Sequence, residues 1–174
     1  MFQKEIEMHF WFGEFLNEKI NSQFVDYDYE VDHLFGIPDY VLFEKTDKNL
    51  KYIISIELKL KDWNKGMAQA FRYKNFSNEV YLVLDEAHIS PALKKMEDFK
   101  RYNIGLATFD EKLKFRIYYE PLPEKPHSSF YTFNLLKELT LKSKIKNSNK
   151  ILKLWENKQT KFLRKRLNKY IIKK

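Results

Sequence analysis

Asp39, Glu57 and Lys59 are the side chains whose types and spacing could do chemistry. Asp39 follows Pro38 and opens the apolar run Tyr40-Val41-Leu42-Phe43. Glu57 and Lys59 fall in residues 52–60, where Ile54, Ile56, Leu58 and Leu60 alternate with Ser55, Glu57 and Lys59. Side chains alternate along a strand, so Glu57 and Lys59 project from one side, read here as the polar rather than the core side. A neighbouring strand would bring Asp39 within a strand spacing, about 4.8 Å. Two converging carboxylates would offer magnesium hard oxygen ligands. The metal would polarise a scissile phosphate and help generate hydroxide, while Lys59 would serve the attacking water and offset developing charge. A lone Glu-x-Lys equally suits a solvent-facing strand, and a lone Pro-Asp suits a turn. Their combination, eighteen residues apart and followed by a helix, points to a site.

The elements that must position these groups are legible from periodicity. Ile6, Phe10, Phe15, Leu16 and Ile20 recur at helical spacing and predict an amphipathic helix over 4–20. Residues 24–31, 39–43 and 52–60 read as three strands, with Gly36-Ile37-Pro38 as a break. A helix over 67–76 and a buried strand over 80–84 follow. Ser90-Pro91 reads as a cap and first turn opening a helix to about residue 102. Residues 104–109 and 113–119 are two more strands, and the prolines at 121, 123 and 126 close this part. The reading is an α/β fold with a mixed central sheet over 1–126, and a basic, helical extension over 127–174.

Ile37-Pro38-Asp39 and Ile56-Glu57-Leu58-Lys59, in this element order, resemble the signature of the PD-(D/E)XK nuclease superfamily. The resemblance covers residues 5–85, about half of the chain, and implies a restriction endonuclease-like αβββαβ core. It also implies an enzyme that hydrolyses phosphodiester bonds with Mg2+ or Mn2+, on DNA in preference to RNA. Asp39 and Glu57 would hold the metal and Lys59 would assist the attacking water. Gln69-Ala70-Phe71-Arg72-Tyr73 is similar to the Gln-x-x-x-Tyr pattern of several branches. Gln69 and Tyr73, four apart, would line the site on a face separate from the core residues Ala70 and Phe71. An acid on the first helix would complete the metal shell, Glu14 in first place and Glu18 in second.

Other residues are read more plainly. His9, His33, His88 and His127 lack metal-ligand spacing and read as surface or turn residues, although His33 could approach the site. Asp85-Glu86 reads as a cap, and Tyr102, Tyr118, Tyr119 and Tyr131 as packing residues rather than base-stacking ones. A content of 44% hydrophobic and 17% aromatic residues in 174 excludes a disordered chain. The lack of cysteine excludes disulfides and thiolate zinc sites. With no long apolar run and no secretory leader, the expectation is a soluble cytoplasmic protein without a membrane span, able to form a homodimer. Of the net charge of +8, residues 137–174 hold fourteen basic and two acidic side chains, leaving −4 on the rest. That asymmetry predicts a nucleic-acid partner, with Lys150, Lys153, Lys158, Lys161, Arg164, Lys165 and Arg166 on phosphates. A catalytically silent nucleic-acid-binding protein and a partner-docking module, the latter through Trp155, Leu163 and Leu167, are the alternatives.

Overall fold

The computed structural model describes residues 1–19, 25–29, 36–46 and 49–141. In chain order the elements are α1 (Glu5–Lys19), β1 (Val25–Tyr29), β2 (Tyr40–Thr46), β3 (Asn49–Lys59), α2 (Trp63–Tyr73), β4 (Glu79–Asp85), α3 (Ser90–Leu93), α4 (Met96–Tyr102), β5 (Gly105–Phe109), β6 (Phe115–Tyr119) and α5 (Ser129–Leu141). The six strands form one sheet in sequence order. β1, β2 and β3 are antiparallel, β3, β4 and β5 run parallel, and β6 returns antiparallel to β5. This is a mixed α/β architecture, as the sequence leads one to expect. No helix among the described residues is long and apolar enough to cross a membrane.

Each sheet face has its own core. Tyr40, Leu42, Ile54, Ile56, Leu58 and Val83 pack with Met8, Phe12, Phe15 and Leu16 of α1. On the other face Val41, Phe43, Ile53, Leu82 and Leu84 pack with Ala70 and Tyr73 of α2, Phe99 of α4 and Leu135, Leu136 and Leu139 of α5. Every residue of β4 is buried, the pattern of a central parallel strand covered on both faces. The α5 leucines make residues 129–141 part of the body, although the sequence reading assigns them to the extension. Lys150, Lys153, Lys158, Lys161, Arg164, Lys165 and Arg166 lie outside the described residues.

Two helices differ from their expected bounds. α2 starts earlier, at Trp63, because Asp62 caps it by accepting from the Lys65 backbone N–H at 3.1 Å. It ends at Tyr73, and residues 74–76 are a turn. The helix expected over 90–102 is two, α3 and α4, since Lys95 leaves helical backbone at φ −115°. Ser90 makes no capping bond; Ile89 holds the N-cap position. Asp85 does cap, accepting from the Ala87 N–H at the turn after β4.

Candidate active site

The β2–β3 register builds the site. Tyr40 pairs with Ile56, which leaves Asp39, one residue before β2, opposite Glu57. Asp39 is pinned there, because its Oδ2 accepts from the Leu58 backbone N–H at 2.6 Å. His9 Nε2 of α1 lies 3.7 Å from the same oxygen. Glu57 and Lys59 follow on alternate residues and share a face, as the strand pattern requires.

That face is not a polar surface. Ser55 and Glu57 are fully buried and Lys59 is nearly so, because α2 lies across them. Gly66 permits the close approach: a Cβ there would sit 2.5 Å from Leu82 Cδ1 and 2.9 Å from Lys59 Cγ. The expected polar side is thus half of a core, and its charged groups must be satisfied internally.

They satisfy one another. Glu57 Oε2 accepts from the Tyr73 hydroxyl at 2.7 Å, and the same hydroxyl lies 2.9 Å from the Ile37 carbonyl. Gly36 makes that second contact possible, since its φ of +128° is a conformation that side chains resist. Glu57 Oε1 meets Lys59 Nζ at 2.8 Å as an ion pair, outside the angles of a hydrogen bond. Lys59 Nζ also donates to the Leu58 carbonyl at 3.0 Å and to Glu5 Oε1 at 3.2 Å. Burial and then the Asp39 charge push the Glu57 carboxyl above its usual range, against Lys59 and Tyr73. Burial would lower the Lys59 ammonium, but Glu57, Asp39 and Glu5 outweigh it and hold it above its ordinary value. Burial and Glu57 raise the Tyr73 hydroxyl, so it donates and does not ionise. A carboxylate pair, a fixed ammonium and a fixed phenol can together bind a cation or cradle an anion that carries one.

The remaining expected residues divide. Gln69, one turn before Tyr73 on α2, carries a buried Oε1 without a hydrogen-bond partner. Tyr73 does not line an exposed face: it is a core residue whose hydroxyl alone reaches the carboxylate. Phe71, expected in the core, is 46% exposed. Adjacent residues on a helix point about 100° apart, so only one stripe of α2 meets the sheet; Gly66, Ala70 and Tyr73 occupy it.

Glu14 and Glu18 are exposed on α1, and Glu18 pairs with Lys19 at 2.8 Å. The α1 carboxylate at the site is Glu5, and His9 accompanies it one turn on. Neither was legible as a site residue. Both lie on the side of α1 that faces Asp39 and Lys59; their four-residue spacing is a usable signal only once that side is known. His33 lies outside the described residues. Among the described residues no three His, Cys, Asp or Glu side chains converge as a metal-binding group.

No family model matches the chain, and no curated protein matches it. Among solved structures it is similar to a protein of unknown function from Silicibacter pomeroyi, at 14% identity over 68% of this chain and 74% of that one, with a TM-score of 0.49.

Proposed function

We propose that this chain is a metal-dependent nuclease on a restriction endonuclease-like core, acting on DNA in preference to RNA. One observation carries the reading: Asp39, one residue before β2, falls opposite Glu57 of β3 in the continued register, with Lys59 Nζ 2.8 Å from one Glu57 oxygen and the Tyr73 hydroxyl 2.7 Å from the other. Burying a second carboxylate beside the first is costly unless a cation shares the site. Asp39 and Glu57 suit a hard divalent ion that takes its other ligands from water and a phosphate. Mg2+ or Mn2+, when bound there, would polarise the phosphate and acidify a water.

The chain's own groups supply the rest. Tyr73 holds Glu57 in one orientation, and the Leu58 N–H holds Asp39. Lys59 brings a fixed positive charge toward the transition state, where such a charge is worth more than on bound substrate. Gln69 offers a buried acceptor to a water proton. The basic side chains beyond residue 141 would hold the phosphate backbone without regard to sequence.

A second reading is favoured by a specific contact. Lys59 Nζ already engages Glu57 Oε1, the Leu58 carbonyl and Glu5 Oε1. An internal cation of that kind would also suit a protein that binds nucleic acid without cutting it.

The test is incubation with supercoiled, linear and single-stranded DNA in Mg2+, Mn2+ or chelator. Cleavage should need the metal, and Asp39→Asn should lower it about 100-fold or more while remaining folded. Equal cleavage by Asp39→Asn and wild type would overturn the site. Tight binding with no cleavage in either metal would establish the second reading.

A further inference from the structure

A groove of about 440 Å³ lies between α2 and the end of α4, a volume ordinary for a small-ligand site. Asn64, Met67, Ala68 and Phe71 form one of its walls, at helical spacings of three and four. Tyr102, at the end of α4, and Ile104, just before β5, form the other. Phe71 and Tyr102 meet edge to face at 5.6 Å, and they remain 46% and 38% exposed. The wall is braced, since Lys74 Nζ donates to the Tyr102 carbonyl at 2.7 Å. Two half-exposed rings braced in a groove need an occupant that is flat and partly apolar.

Charge decides which occupant. From Trp63 to Phe76 the chain carries Lys65, Arg72 and Lys74 and no carboxylate. Arg101 lies 5.7 Å from the Tyr102 ring centre, and Lys74 Nζ lies 6.0 Å from that of Phe71. Of the nearby acids, Glu124 pairs with Lys74, Glu97 pairs with Lys100, Asp62 accepts from the Lys65 backbone N–H, and Asp98 lies on α4; Lys65, Arg72, Lys74, Lys100 and Arg101 outnumber these four by one. Rings for stacking beside an excess of Lys and Arg complement a flat ring joined to a phosphate.

We infer that this groove holds an unpaired nucleobase of a single-stranded nucleic acid, its backbone phosphates drawn by Lys65, Arg72 and Arg101. The inference rests on the nucleic-acid reading above, and it adds a base-stacking site lined by α2 residues other than Gly66, Ala70 and Tyr73, which meet the sheet. Stacking depends on the base face and tolerates any sequence, so the site would favour single strands over duplex without base specificity.

The experiment separates base from phosphate. Fluorescence anisotropy in chelator compares a labelled oligothymidylate with an abasic sugar-phosphate oligomer of the same length, on the full chain. The wild type should prefer the oligothymidylate by about tenfold, the scale of one stacked base. Phe71→Ala and Tyr102→Ala should abolish that preference while leaving the abasic affinity unchanged and the fold intact by circular dichroism. Tyr102→Phe, which keeps the ring, should retain the preference. Equal wild-type affinity for both oligomers, or an undiminished preference in Phe71→Ala and Tyr102→Ala, would overturn the groove and leave nucleic-acid binding standing. Failure of the wild type to bind either oligomer would overturn the nucleic-acid reading itself, and the groove with it.

Discussion

Glu57 and Tyr73 show how one side chain serves both fold and site. The Tyr73 ring is core, and its hydroxyl bridges the Glu57 carboxylate and the Ile37 carbonyl. Removing that hydroxyl leaves a buried carboxylate oxygen with one partner fewer, and hydrogen bonds to charged groups contribute about 1.5–3 kcal/mol. Tyr73→Phe should therefore lower stability by about 2 kcal/mol in urea titration. Gln69 is the opposite case, because its buried oxygen has no partner to lose. Gln69→Ala should leave stability within about 0.5 kcal/mol and still reduce cleavage. A destabilised Gln69→Ala with full specific activity would make Gln69 structural only.

Between elements, the contact that matters most to the site is α2 against β3 and β4. Gly66 sits at its tightest point, with Leu82 and the Lys59 stem beneath. Leu82 is fully buried, so an added methyl must shift its side chain or the Lys59 stem, or lift the helix. Gly66→Ala should cost about 1–3 kcal/mol as overpacking, net of the better helix propensity of alanine. It should also disturb the Lys59–Glu57 contact and so lower cleavage together with stability. A Gly66→Ala variant as stable as wild type would mean that the helix rides higher on the sheet. The same packing ties down the chain after β6: the Glu124 N–H donates to Asn78, and those of His127 and Ser128 donate to Lys74 and Asn75. This leads α5 onto the core.

For the whole molecule, charge and packing divide the chain at different places. Charge changes near residue 137, yet α5 buries Leu135, Leu136 and Leu139, so a truncation after Ser129 would strip the core. Removing 142–174 is the informative deletion: that segment holds thirteen basic residues and one acid, leaving −4 on the remainder. If about half of those cations reach phosphates, the full chain should show a slope of log affinity against log salt near −6 on duplex DNA. The 1–141 chain should fold by circular dichroism, bind more weakly and show a much flatter slope. It should retain metal-dependent cleavage at high enzyme concentration. An unchanged slope in the folded 1–141 chain would remove the basic segment from the nucleic-acid interface.

The sequence by itself determined the local facts. Period-two alternation put Glu57 and Lys59 on one side of a strand, Pro38 placed Asp39 at the entrance of the strand before it, and the order of helices and strands followed from spacing and breaks except at the helix expected over 90–102. These depend on bond geometry and near neighbours, which a sequence displays directly. Only the tertiary structure decided which side of that strand is buried, because burial depends on α2 meeting the sheet through Gly66, seven residues beyond Lys59. It also decided that Tyr73 turns inward while Phe71 turns out. Both residues are aromatic, and the helix phase is set by contact with the sheet rather than by composition. Glu5 and His9, rather than Glu14, reach the site because packing orients α1 and selects the line of residues that faces β3. Contacts between residues 54 apart in the chain are made by packing, and no local pattern encodes them.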